Sequence, residues 1–103
     1  MLIQLAAVTF DKVITENEIV LVDFWADWCP PCKMLGPVLK TLSETQDEVV
    51  IAKIDIDDVP EIAKEYAVTS IPTLILFKNG QEVARMTGFK PLPAVQEFIN
   101  SNK

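Results

Sequence analysis

The hydrophobic positions of the chain follow two different periodicities. Residues 18–26 (EIVLVDFWA) and 49–57 (VVIAKIDID) are short, rich in β-branched residues and almost continuously apolar. Such runs are typical of strands that helices cover on both faces. Between them, apolar residues recur at spacings of three and four, which predicts a helix with one apolar stripe. These helical positions are Leu35, Val38, Leu39 and Leu42.

A further helix and a hairpin are predicted in the second half of the chain. Residues 57–68 (DDVPEIAKEYAV) indicate a short helix with Asp57 or Asp58 as its N-cap and Pro60 in its first turn. Two apolar runs flank Asn79-Gly80, a dipeptide that favours a tight turn between antiparallel strands.

Three weaker patterns complete the set of elements. We expect a first strand near residues 3–5, a short helix around residues 10–14 and a C-terminal helix that Pro93 opens. The resulting order is β-α-β-α-β-α-β-β-α, with parallel crossovers first and an antiparallel hairpin last. This order predicts an α/β fold in which helices flank a mixed central sheet.

Length and charge limit the classes of function. A chain of 103 residues, half of them apolar, predicts a single domain over residues 1–103 that buries a core without disulfides or metal. A net charge of −6, with no histidine and no cluster of lysine or arginine, argues against binding nucleic acid. The N-terminus lacks the pattern of a secretory signal, and no apolar run approaches a bilayer span. We therefore expect a monomeric cytoplasmic protein that does not associate with membranes.

The chemistry of the chain centres on Cys29 and Cys32, which two prolines separate. A tetrahedral zinc site needs four ligands, and the chain has two cysteines and no histidine. Haem attachment requires a histidine after the second cysteine, where Lys33 stands. A purely structural disulfide over so short a loop would remove little freedom from the unfolded chain, and the cytosol would tend to reduce it. Dithiol–disulfide exchange remains.

The position of the pair supports exchange chemistry. Cys29 falls where a buried strand ends and a helix begins, so unpaired N–H groups and the positive end of the helix dipole favour a thiolate there. Cys32 lies one turn further on the same helix face. One sulfur can therefore attack a disulfide while the other closes the ring.

Three motifs carry a resemblance to a known family. WCPPCK follows an apolar strand, SIPT precedes another strand, and FKNG lies at the hairpin. Together they resemble the thioredoxin family over essentially the whole chain. The resemblance implies the thioredoxin fold and a protein-disulfide reductase with no bound cofactor, which receives electrons from NADPH through thioredoxin reductase and passes them to disulfide-containing proteins.

Roles for the polar residues follow from the residues and the resemblance together. In the mechanism we expect, the Cys29 thiolate attacks a substrate disulfide, and the more buried Cys32 resolves the mixed disulfide with the help of a base. Asp23 interrupts an apolar run and is either a desolvated acid–base group or a strand-end aspartate that reaches solvent. Lys53 interrupts another run, and the alternative for it is a lysine whose long side chain extends to water. The resemblance favours a buried acid at Asp23 with Lys53 beside it.

The substrate surface is predicted mainly from the resemblance. A proline cannot donate within a central strand, so Pro72 must begin one, and residues alone favour a trans bond. The resemblance implies instead a cis Ile71-Pro72 bond that leaves backbone groups of Ser70 and Ile71 free to pair with an extended substrate segment. The predicted substrate-binding residues are Trp28, Pro30, Pro31, Ser70, Ile71, Pro72, Gly88 and Phe89.

Pro30 departs from the family pattern, which usually has glycine there. Proline removes an N–H that could face the Cys29 thiolate, but it also restricts the dithiol and could favour ring closure. Because proline also precedes Pro31, we expect the helix to start late.

Two other functions stay open: a non-redox binding subunit that uses the apolar surface, and a disulfide oxidant or isomerase. The absence of histidine between the cysteines favours the reductant.

Overall fold

One five-stranded sheet with helices on both faces makes up the computed structural model, which describes residues 1–103. The elements in chain order are β1 (Leu2–Gln4), α1 (Ala7–Glu16), β2 (Ile19–Trp25), α2 (Pro30–Thr45), β3 (Val50–Asp55), α3 (Pro60–Glu65), β4 (Thr73–Lys78), β5 (Gln81–Thr87) and α4 (Leu92–Asn102). This order confirms the predicted succession of strands and helices. None of the four helices has the length and apolar character needed to cross a bilayer.

The strands are arranged in the order β1-β3-β2-β4-β5. β1, β3 and β2 run parallel, and β4 and β5 are antiparallel to their neighbours. The mixed sheet therefore forms as predicted, with β2 at its centre. In this register Asp23 of β2 lies opposite Lys53 of β3 on one side and Leu74 of β4 on the other.

Each face of the sheet is covered by its own pair of helices. On one face, α1 and α3 pack onto Val20, Val22 and Phe24 of β2. On the other, α2 and α4 pack onto alternate residues of the same strand, which include Ile19 and Leu21. Since side chains alternate across a strand, Asp23 and Trp25 continue the second row and face α2. The two-sided burial explains why the strands read as continuous apolar runs.

Helix α2 presents one apolar stripe to the sheet. Leu35, Leu39 and Leu42 are fully buried in the core on this face, and Val38 packs against it. The helix begins at Pro30, so the prediction of a late start is wrong. Proline in the first turn needs no intrahelical N–H partner, and its fixed φ suits a helix, so two consecutive prolines are accommodated there.

The beginning of α3 differs from the prediction. Its N-cap is Val59, which has no side-chain cap, and neither Asp57 nor Asp58 takes that role. The Asp57 N–H instead donates to Oδ1 of Asp55 at 2.9 Å. The aspartates of this loop therefore shape the turn between β3 and α3.

The hairpin between β4 and β5 is confirmed. Asn79 and Gly80 both have positive φ, 53° and 83°. Two positive φ values in a two-residue turn match the twist of antiparallel strands, and this explains the choice of asparagine and glycine.

Candidate redox site

The two cysteines lie at the junction between β2 and α2. Cys29 is the N-cap of α2, and Cys32 lies in its first turn. Their sulfurs are joined in a disulfide, and their Cα atoms are 5.2 Å apart. The structure thus holds the oxidised form of the pair, in which each sulfur stands where a thiol or thiolate lies after reduction.

The helix N-terminus places one amide directly on the first sulfur. The Cys32 N–H donates to Cys29 Sγ at 3.3 Å. An N-cap side chain normally accepts from the second or third residue of the helix, and here the second is Pro31. Pro30 is the first residue, so the N–H it lacks is not one that caps the helix. Of the two effects considered for Pro30, this geometry speaks against a lost hydrogen bond to Cys29 Sγ and leaves the restriction of the dithiol open.

Both cysteines are buried. Cys29 is 4% exposed and Cys32 is 3% exposed, so burial of the whole residue does not distinguish them. Their surroundings do. Cys29 Sγ lies 3.8 Å from the carbonyl oxygen of Ile71, in the loop that precedes β4. Cys32 lies on the helix face that continues to Leu35 and points toward the sheet.

Asp23 is a fully buried carboxyl group on the sheet face that α2 covers. Neither of its oxygens has a hydrogen-bond partner in the protein. Burial raises the pKa of Asp23 from 3.8 to about 7, and the positive charge of Lys53 acts against this rise. Of the two alternatives for this residue, the structure shows the desolvated acid. A carboxyl with this pKa can give or take a proton near neutral pH.

Two positions were considered for Lys53, beside Asp23 and extended into water, and the structure shows an intermediate one. It is half-buried on β3 opposite Asp23, and its Nζ lies 4.2 Å from the centre of the Trp25 ring. An ammonium over an aromatic face is held by the ring quadrupole. The side chain is therefore anchored beside the sheet at its ammonium end.

An exposed apolar rim surrounds the disulfide. Trp28 is 65% exposed, and its Nε1 donates to Oδ2 of Asp57 at 2.9 Å. The indole ring is thus fixed in orientation while its face stays open. Pro30 and Pro31 are exposed beside it, and Met34 of the next helical turn is 59% exposed.

The loop before β4 approaches the pair from the opposite side. The Ile71-Pro72 bond is cis, and Pro72 is buried. The Ser70 carbonyl accepts the Thr73 hydroxyl at 2.6 Å, so this group already has a partner. The N–H groups of Ser70 and Ile71 make no backbone hydrogen bond.

Gly88 and Phe89 follow β5 at the same end of the sheet. The Gly88 N–H donates to the Pro72 carbonyl at 2.8 Å, which joins the end of β5 to the Ile71-Pro72 loop. Gly88 has φ of 85°, a conformation that favours glycine. Phe89 is half-buried and packs against the core beneath α2 and α4. The structure therefore places Gly88 in the loop cluster and gives Phe89 mainly a packing contact.

Sequence reasoning missed Trp25, Asp57 and Met34 as parts of this region. The Trp28–Asp57 hydrogen bond joins residues 29 positions apart, and nothing in the local sequence indicates it. Met34 lies in the predicted helix but outside its apolar stripe, and the pattern alone indicates no contact with this region. The pattern around Trp25 indicates only a strand, which β2 confirms. No group of three or more cysteine, aspartate or glutamate side chains is arranged to hold a metal ion.

Comparison with known proteins identifies the family. The family model named thioredoxin matches residues 1–101. The chain is 49% identical to thioredoxin from Bacillus subtilis over 89 residues, which are 85% of this chain and 86% of the relative. It belongs to the thioredoxin family. The solved structure of a mutant thioredoxin from Halobacterium salinarum superimposes with a TM-score of 0.90 at 40% identity, covering 98% of this chain and 88% of that one.

Another relative carries a second activity in its name. The chain is 52% identical over 82 residues to the bifunctional thioredoxin reductase/thioredoxin of Mycobacterium leprae. The match covers 79% of this chain but only 18% of that longer protein.

Membership of the family settles the type of reaction. Thioredoxins are thiol–disulfide oxidoreductases, and this chain has its two cysteines joined at the start of α2. The chain is therefore an enzyme that works by dithiol–disulfide exchange.

Proposed function

We propose that this protein reduces disulfide bonds in other proteins, with Cys29 as the nucleophile. The observation that carries the proposal is the position of Cys29 Sγ at the N-terminus of α2, where it accepts the Cys32 N–H at 3.3 Å. A partial positive charge and a directed donor at this point stabilise a thiolate. The Cys32 N–H donates to the Cys29 sulfur, and Cys32 itself lies inside the helix. Cys32 is therefore the proposed resolving thiol.

The reaction consists of two exchanges. The Cys29 thiolate forms a bond to one substrate sulfur, and the other substrate sulfur leaves as a thiolate. The Cys32 thiolate then attacks Cys29, which breaks the mixed disulfide and forms the Cys29–Cys32 bond seen in the structure. The substrate gains two electrons and two protons, and the enzyme dithiol loses them.

Asp23 is the proposed base for the second exchange. Cys32 must lose its proton before it attacks, and the helix face that carries Cys32 packs against the sheet face that carries Asp23. A pKa of about 7 leaves a substantial share of the carboxyl ionised at neutral pH and still basic enough to accept a proton. The positive charge of Lys53 is proposed to limit the rise in the pKa of Asp23.

The substrate is proposed to bind as an extended segment along residues 70–72. The unpaired Ile71 N–H and the carbonyl of the same residue, which lies beside Cys29 Sγ, would pair with the substrate backbone. Trp28, Pro31 and Gly88 would flank the segment, and Pro30 and Phe89 would lie at its border. Exposed apolar area next to a reactive group supports a docking role.

Electrons are proposed to come from NADPH through thioredoxin reductase. The relative whose name combines both activities supports this pairing. Consumption of NADPH by a purified thioredoxin reductase, measured with and without this protein and a disulfide substrate, tests it.

We further propose that residues 1–103 form a single domain that acts as a monomer in the cytoplasm. The family match over residues 1–101 supports the single domain, the net charge of −6 supports the monomer, and sedimentation measures the mass.

Replacing each cysteine separately tests the assignment of roles. We expect the Cys32→Ser variant to accumulate a stable mixed disulfide with a protein substrate, because no thiol remains to resolve it. Mass spectrometry of the trapped complex should locate the bond at Cys29. The Cys29→Ser variant is the matched control and should trap little. Trapping on Cys32 in that control, at the rate seen for Cys29, would show that the roles are reversed.

A further inference from the structure

Trp25 contacts Lys53 beside the proposed base, and the reaction scheme assigns Trp25 no role. Trp25 follows Asp23 by two residues on β2, so their side chains lie on the same face of the sheet. Lys53 lies directly across from Asp23 on β3. Its Nζ is 4.2 Å from the centre of the Trp25 ring, close enough for a cation–π interaction.

The indole of Trp25 makes no hydrogen bond that would explain the choice of tryptophan. Its Nε1 is buried and has no acceptor in the protein. A buried donor without a partner is unfavourable, and phenylalanine would fill part of the space without this cost. Among aromatic rings, however, the indole face binds a cation most strongly. The contact with Lys53 is therefore the interaction in the structure that favours tryptophan over phenylalanine at this position.

The surroundings of Asp23 contain few other charges. On β3 the titratable neighbours are Lys53 opposite and Asp55 two residues later, whose Oδ1 accepts the Asp57 N–H. From α2 the residue of this kind is Cys32, whose sulfur is bonded to Cys29 and carries no proton in the oxidised protein. On β4 the residue opposite Asp23 is Leu74, and the buried α4 residues on this face of the sheet, Val95 and Ile99, are apolar. Lys53 is thus the cation among the groups facing Asp23, and its position decides how strongly the carboxylate is stabilised.

We propose that Trp25 is a positioning residue that holds the Lys53 ammonium near Asp23 and thereby sets the pH range in which Asp23 takes the proton of Cys32. The catalytic consequence rests on the proposed function of Asp23 as base. A lysine side chain on a half-buried strand position is otherwise free to extend its ammonium into water, where its charge is screened. The ring keeps the ammonium on the sheet.

The direction of the effect follows from the charge. Lys53 lowers the pKa of Asp23 against the larger effect of burial. Removing the ring releases the ammonium, so the carboxylate loses part of its stabilisation and its pKa rises. Trp25→Leu and Lys53→Met should therefore shift the titration of Asp23 in the same direction, and the two changes should not add.

The titration of Asp23 in the oxidised protein tests this without any turnover. The carboxyl carbon is followed by ¹³C NMR against pH in the wild type, Trp25→Leu, Lys53→Met and the double variant. We expect each single change to raise the midpoint by roughly half a pH unit, and the double variant to match Lys53→Met. Trp25→Phe keeps a weaker cation-binding face and should give a smaller shift than leucine.

Phe10→Leu is the control for general loss of packing. Phe10 is a fully buried aromatic residue on the opposite face of the sheet, so this change should lower stability and leave the Asp23 midpoint in place. An unchanged midpoint in both Trp25 variants, or additive shifts in the double variant, would overturn the proposal. If Trp25→Leu does not fold, Trp25→Phe decides alone by the presence or absence of its shift. Failure of the wild type to reduce disulfides would instead overturn the proposed function and leave this electrostatic result standing.

Discussion

At the scale of single residues, the unusual feature is a carboxyl group placed where its charge is disfavoured. Asp23 is fully buried at the centre of the sheet, and both oxygens lack a partner in the protein. Burial of this kind normally destabilises a protein and persists at functional sites. The same burial raises the pKa of Asp23 to about 7, so the carboxyl can exchange a proton at neutral pH.

Replacing Asp23 with asparagine should separate the two steps of the reaction. We expect Asp23→Asn to slow resolution of the mixed disulfide by about tenfold to a hundredfold at pH 7, because a positioned base is lost. Formation of the mixed disulfide should change much less. Rapid-quench measurements of the two steps check this.

The pH profile gives the corresponding sign. In the wild type, the resolution rate should rise as pH increases through about 7, where Asp23 ionises. This rise should be absent in Asp23→Asn and retained in Asp27→Asn, which changes an exposed aspartate of the neighbouring loop. Equal slowing of both steps would remove the base role.

At the scale of elements, the junction of β2 with α2 combines two local devices. The end of a covered strand delivers Cys29 to the N-cap, and two prolines occupy the helix positions whose N–H groups need no helical partner. The first amide available to cap the helix is then that of Cys32, which donates to Cys29 Sγ. The prolines therefore leave the sulfur with one directed donor and a stiff spacer.

The hairpin of β4 and β5 offers a test of turn chemistry. Gly80 has φ of 83°, and a Cβ at this position would lie 3.3 Å from Thr15 Cγ2. Gly80→Ala should lower the free energy of unfolding by about 1 kcal/mol or more, because alanine is strained at positive φ. Gly80→Asn should lower it less, since asparagine tolerates this conformation although it carries the same Cβ.

Denaturant unfolding of the two Gly80 variants checks the expected order. The shared Cβ contact cancels between them, so the difference measures backbone strain. Equal losses of stability would mean that contact with Thr15 dominates and that the turn conformation contributes little.

At the scale of the whole molecule, Asp23 also links stability to pH. Its pKa is about 7 in the folded protein against an ordinary value of 3.8. Below the ordinary value the carboxyl is protonated in both states and has no effect. As pH rises further, the unfolded chain ionises first, so the free energy of unfolding falls until the folded carboxyl also ionises. The total loss corresponds to roughly 4 kcal/mol.

Unfolding of the oxidised protein across pH 4 to 8 measures this loss. Asp23→Asn should be more stable than the wild type at pH 8, and the difference should shrink toward zero near pH 4, because the amide does not ionise. Asp27→Asn serves again as the control, since an exposed carboxyl pays little desolvation. A stability difference that stays constant with pH would show that packing, and not ionisation, separates wild type from variant.

Much of the fold was predictable because the controlling interactions are local. The apolar runs of the strands and the apolar stripe of α2 indicate which faces are buried. Asn79-Gly80 predicts a tight turn that few other residues allow. Where local rules compete, prediction failed. Proline at position 30 argues for a late helix, yet the first turn tolerates it. The sequence predicts Asp57 or Asp58 as the N-cap of α3, but neither caps it, and Asp57 accepts a hydrogen bond from Trp28 instead.

The sequence by itself determined the elements, their order and the pair of cysteines at the end of a strand, because each depends on residues within a few positions of one another. Only the tertiary structure decided what surrounds the sulfurs. Ile71 reaches Cys29 across 42 positions, and Lys53 reaches the Trp25 ring through the pairing of β2 with β3. Such contacts arise from the register and packing of separate segments, and no local pattern encodes the distance between them.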